Sequence, residues 1–102
     1  MQGVSDTLVQ ELRRQASQGV SVPDLLRLLH QRLGREAVYG ATLAKYLMAA
    51  FDLPLRAVAP LGGWAPDATG ELSDARIQEL IYPEIMRQKP RWLRTSGTGG
   101  AQ

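Results

Sequence analysis

The stretch from Glu36 to Phe51, EAVYGATLAKYLMAAF, restricts this chain more than any other. After its first residue, only Thr42 and Lys45 interrupt it as clearly polar side chains. A helix that is apolar on nearly every side must be covered from several directions, so this segment is expected at the centre of a helical bundle. The 102 residues are 44% apolar and include no cysteine. A chain of this length buries roughly 60 to 65% of the surface that its unfolded form exposes. One modest core must therefore hold it, with no disulfide or thiolate metal site, and there is no room for a large enzyme with its own cofactor domain.

The flanking segments supply partners for that central helix. Ser5 is placed to cap a first helix in which Leu8, Val9, Leu12 and Ala16 recur on one face, with Gln10, Arg13, Arg14 and Ser17 toward water and Gly19 at its end. Ser21 caps a second, with Pro23 and Asp24 in its first turn. Leu25, Leu26, Leu28, Leu29 and Leu33 make that helix strongly apolar up to Gly34. Asp52 is the expected cap of a short fourth helix between Pro54 and Pro60. GGWAPDATGE, from Gly62 to Glu71, sustains no period and reads as a glycine-rich loop. Ser73 and Asp74 restart a helix lined by Ile77, Leu80 and Ile81, which should kink or restart at Pro83 and stop at Pro90. No run alternates in the manner of a strand. The expectation is an all-α bundle of four to six helices over residues 1–94, followed by a flexible tail, TSGTGGAQ, over 95–102.

The net charge of +2 hides a segregation. Arg87, Lys89, Arg91 and Arg94 give the segment 85–102 a charge of +4 with no acid. Residues 52–84 carry six carboxylates against Arg56 and Arg76, a local balance of −4. No apolar leader and no uninterrupted spanning segment are present in the sequence, so a cytoplasmic protein with no membrane association is expected.

Few side chains suggest chemistry. His30 is the one histidine and has no serine or carboxylate at i+3 or i+4, so no local metal pair forms and no metal ligand or catalytic base is assigned. Ser5, Ser21 and Ser73 are explained by capping. Gly62, Gly63 and Gly70 lack the lysine and preceding strand of a phosphate loop. No catalytic residue and no cofactor are therefore expected. Trp64 is different, because an indole in such a loop either packs onto the bundle, the favoured reading, or stays available to a partner. If it stays available, Asp67, Glu71 and Asp74 surround it with negative charge, suiting a basic protein partner.

The alternative is nucleic-acid binding through the basic end, with Arg87, Lys89, Arg91 and Arg94 on phosphates and Trp92 stacked on a base. Against it, Trp92 and Leu93 also suit closing the bundle. Residues 21–51 have the outline of a helix-turn-helix, but the second helix offers mainly Thr42, Lys45 and Tyr46 to a groove, too few for base reading. A third reading is self-association through the leucine-rich second helix.

YLMAAFDLPLRAVAPLGGW, from Tyr46 to Trp64, and GELSDARIQELIYPEI, from Gly70 to Ile85, together about a third of the chain, resemble small helical bacterial proteins of mostly unassigned function. Some proteins of this kind resemble immunity proteins that neutralise polymorphic or contact-delivered toxins. The shared pattern is structural, an apolar helix, a proline-started short helix, a GGW loop and a capped helix, with no catalytic signature. The resemblance implies a protein-binding role, so the leading expectation is a non-enzymatic protein-binding module, in its specific form an immunity protein masking a toxin, with Trp64 and the acidic 52–84 region at the contact and a basic toxin domain as the partner that this charge suits.

Overall fold

A computed structural model describes residues 5–34, 40–65, 67 and 69–96. Among them lie six α-helices: α1 Asp6–Ser17, α2 Val22–Leu33, α3 Gly40–Phe51, α4 Leu55–Val58, α5 Asp74–Arg87 and α6 Lys89–Ser96. A 3-10 turn, Ala59–Gly63, continues α4. The all-α expectation holds, and the described residues contain no strand, only one isolated bridge between Trp64 and Leu72.

Local signals set most of the boundaries. The hydroxyls of Ser5, Ser21 and Ser73 accept from the amides of Leu8, Asp24 and Arg76. Helix α1 closes with Gly19 at φ +91°. The Gly19 amide donates to the Ala16 carbonyl, and the Val20 amide joins that of Gln18 on the Gln15 carbonyl, so both of these last-turn carbonyls have partners. Leu8, Val9, Leu12 and Ala16 form its buried face, as their spacing requires.

Helix α3 sits between α1 and α6 on one side and α4 with the 3-10 turn on the other. Leu43, Tyr46, Leu47, Ala50 and Phe51 are buried, while Ala41, Lys45 and Ala49 form an exposed strip. Its centrality is thus incomplete, because no element among the described residues covers that strip. The part of the expected helix before Gly40 lies outside the described residues, apart from which the helix ends at Phe51 as the sequence implies.

Several boundaries depart from expectation. Asp52 does not cap α4, whose N-cap is Pro54 with no side-chain bond. It instead turns the chain out of α3 at φ +56°, a left-handed conformation that a short polar residue tolerates, and its carboxylate lies 2.8 Å from Arg91 Nε. Pro83 does not interrupt α5, because Ile77, Ile81 and Ile85, all buried at i, i+4 and i+8, hold both halves to the core. Pro90 does not stop that helix either. The helix ends at Arg87, and Pro90 falls in the first turn of α6, where its missing amide has no helical acceptor to lose. Thr95 and Ser96 belong to α6 rather than to a tail, and residues 97–102 lie outside the described residues. The leucine surplus of α2 is absorbed: Leu25, Leu26 and Leu29 are buried, and Leu28 and Leu33 pack against the core.

Side chains from distant helices close other helix ends. Arg13 does not face water but donates from Nε to the Ala50 carbonyl at 2.7 Å and from Nη2 to that of Ala49 at 3.2 Å. It supplies the cation that the last turn of α3 lacks. Gln78 on α5 accepts from the Val22 amide at 2.7 Å, and the Tyr46 hydroxyl accepts from the Ser5 amide at 2.9 Å.

The loop before α5 returns on itself, with the Leu72 amide donating to the Gly63 carbonyl at 2.8 Å. A Cβ on Gly70 would lie 2.5 Å from the Gly63 carbonyl oxygen and 2.8 Å from the Ala65 nitrogen, so glycine is required by close backbone approach. A Cβ on Gly62 would meet nothing within 4 Å. Gly70→Ala should accordingly destabilise the fold by about 1–3 kcal/mol in thermal unfolding. Gly62→Ala should leave stability unchanged or raise it by up to about 1 kcal/mol through the unfolded chain. Equal effects of the two would show that loop closure does not constrain Gly70.

Candidate functional site

The chain folds Trp64 inward, leaving it 7% exposed. Its Nε1 donates to Asp74 Oδ1 at 2.9 Å, and Asp74 Oδ2 lies 2.9 Å from Arg27 Nη2. The same guanidinium sits 5.5 Å from the centroid of the indole, and the half-buried His30 ring is tilted against it at 6.1 Å. Helix α2 therefore supplies a cation and an imidazole, and the first turn of α5 supplies the carboxylate. Asp74 is held below its ordinary value of 3.8, first by the indole N–H bond and then by Arg27.

This arrangement corrects the picture of Trp64 as an exposed anchor ringed by acid. Of the residues singled out around it, only Asp74 reaches the indole. The Asp67 carboxylate accepts from the Thr69 hydroxyl at 2.6 Å and its amide at 3.1 Å, bonds that organise the turn and lower its pKa. Glu71 is exposed beside Gly63. Of the three remaining carboxylates of the segment, Glu79 is taken locally by Arg76 and Glu84 by Arg87, while Asp52 is held by the distant Arg91. Nothing in the sequence near Trp64 marks Arg27 or His30 as its neighbours, because both come from a helix more than thirty residues earlier.

The basic end is likewise engaged. Trp92 is 1% exposed, donates from Nε1 to the Ile85 carbonyl at 2.9 Å and meets the Phe51 ring edge-on at 5.0 Å. It closes the bundle, which withdraws the stacking surface expected of it. Arg87 and Arg91 pair with Glu84 and Asp52, and Lys89 begins α6. The side chain of Arg94 lies outside the described residues. A cleft of about 290 Å³ lined by Arg13, Asp52, Arg91 and Trp92 has its charged groups tied to helix carbonyls and to one another.

A different face carries what the sequence left unmarked. Leu55 is 69% exposed, far above the 40% of Leu93, the other large hydrophobic side chain left open among the described residues. It borders a shallow groove of about 230 Å³ between α3 and the α4 segment, floored by Ala41, Ala44, Val58, Ala59 and Gly62. On α3, Lys45 follows the groove residue Ala44 and is exposed, whereas Ala49 lines the separate cleft of Arg13, Asp52 and Arg91. The one sequence signal for this face was the short apolar helix itself, too short to bury every side chain it carries.

No group of three histidine, aspartate or glutamate residues among those described is arranged to hold a metal. No helix among them is long and apolar enough to cross a membrane.

Depression of the Asp74 pKa means that the folded state binds its proton less readily than the unfolded chain. The bond network thus stabilises the fold above about pH 4 and loses that contribution as pH falls through the lowered value. The indole N–H resonance of Trp64 should shift below about pH 4, while that of Trp92, bonded to a carbonyl, stays in place. Asp74→Asn should abolish the shift; its persistence in that variant would assign the titration elsewhere. Comparison with known proteins brings no family assignment, since no family model, curated protein or solved structure matches the chain.

Proposed function

We propose that this chain is a non-enzymatic protein-binding module, with toxin masking as the specific role that its resemblance to immunity-like proteins implies. One observation carries the reading: the described surface leaves an apolar face uncovered, with Leu55 standing 69% exposed beside a groove of small residues. Uncovered apolar surface is costly in water, and contiguous exposed apolar patches mark sites of association. The polar side chains of the Trp64 cluster and of the Arg13 cleft are committed to one another and to the backbone, as structural joints.

The partner surface supported in this way differs from the acidic one expected around Trp64. With its anchor inside the fold and its carboxylates bound locally, the loop offers a basic partner only the exposed Asp67 and Glu71.

The test is affinity purification from the source cells, followed by reconstitution of the captured species from purified components. The expected outcome is a protein that binds the chain at one-to-one stoichiometry with a Kd of about 1 μM or tighter by calorimetry. If that protein arrests growth when expressed alone, co-expression of this chain should restore growth. Recovery of nucleic acid whose binding weakens steeply as salt rises would replace this reading with the basic-end one. If no purified protein binds, the proposal fails.

A further inference from the structure

We infer that the groove between α3 and the α4 segment receives an amphipathic helix of another protein, one whose apolar stripe is flanked by carboxylates. The inference rests on the protein-binding reading and gives its partner a chemistry.

The shape argues for a helix. The groove is lined by the buried Val58 and Leu61 and by the small residues Ala41, Ala44, Ala59 and Gly62, and the space over Gly62 is open, with nothing within 4 Å of where a Cβ would stand. Small residues let a second backbone approach closely, while Leu55 rises at the edge as a knob to be packed between side chains one turn apart. Ala41 and Ala44 bring about one turn of the twelve-residue α3 to the groove, so a partner helix makes its closest approach over a single turn.

The charge argues for acid on that helix. Lys45 is exposed four residues after Ala41, and no carboxylate among the described residues pairs with it. Arg56, next to Leu55, has a 74% exposed side chain and reaches Glu84 only at 3.9 Å. No acidic residue lines the groove among the described residues. Asp52, past the end of α3, is held by Arg91. An apolar floor with cations beside it matches leucine-type anchors with glutamates beside them. A second copy of this chain fits worse, because pairing this face with itself joins two surfaces that both carry Lys45 and Arg56, with no carboxylate among the described groove residues to offset them.

The probes are two synthetic four-turn helical peptides with the same leucine stripe, one flanked by glutamates and one by lysines. Fluorescence anisotropy should show the glutamate peptide binding at least about tenfold more tightly, with the difference shrinking as salt rises. Amide shifts should concentrate on Ala41, Ala44, Lys45, Leu55 and Gly62. Leu55→Ala should weaken binding at least about tenfold with an unchanged Tm, since the side chain is mostly exposed. Lys45→Glu should reduce or reverse the preference between peptides. Equal affinities, no binding by either peptide, or shifts confined to other helices would overturn the inference. So would a concentration-dependent doubling of mass that Leu55→Ala abolishes, which would make a second copy the occupant. Should a purified natural partner bind the wild type and Leu55→Ala alike, the protein-binding reading would stand and this groove would not be its site.

Discussion

Short helices leave a large share of their backbone unpaired, and this structure depends on how that debt of hydrogen bonds is met. Helices α1, α2 and α3 have twelve residues each, so about a third of their amides and a third of their carbonyls lack an intrahelical partner. Serine caps and the glycine turn at Gly19 satisfy some locally. Others are satisfied from afar, by Arg13 at the end of α3, Gln78 at the start of α2 and the Tyr46 hydroxyl at Ser5. Each such bond contributes only about 0.5–1.5 kcal/mol net. Their larger effect is geometric, since each one fixes a helix end against a side chain of a different helix. Apolar packing alone permits sliding along a smooth leucine face, and a directional bond at the end of a helix does not.

The same economy governs charge. A sequence divided into an acidic middle and a basic end folds so that most of these charges meet a partner close by. Arg91 reaches back to Asp52, Glu84 lies between Arg87 and Arg56, and Arg27 serves both the Asp74 carboxylate and the face of Trp64. Pairs this exposed add little stability individually, because water and salt screen them. What they do is dissolve the two blocks that a linear count of charge suggests, so that neither a purely acidic nor a purely basic surface follows from the sums. Lys45 stands out against this background because no carboxylate among the described residues pairs with it, in the midst of small apolar residues.

The two tryptophans show how far the sequence could be followed. That each indole would prefer the interior was legible, given the energy of burying so large a ring. Where each would find a partner for its N–H was not, since Trp64 uses Asp74 beyond a loop and Trp92 shares the Ile85 carbonyl near the end of α5 with the Gln88 amide. Asp52 is a similar case. Its position before a proline resembled a cap, yet the chain needed a left-handed residue to leave α3, and that requirement depends on where α4 must go. Leu55 is the reverse, an apolar residue in an apolar helix that the fold nevertheless leaves outside.

The sequence by itself determined the helices. Their periods, serine caps and glycine ends depend on contacts among residues three to five positions apart, which any chain with these residues in this order will make. Only the tertiary structure decided which faces were covered. Burial depends on what other helices bring to the same place. Helix α3 therefore keeps an open strip despite its composition, Trp64 disappears behind Arg27 and His30, and Leu55 is left at the edge of a groove.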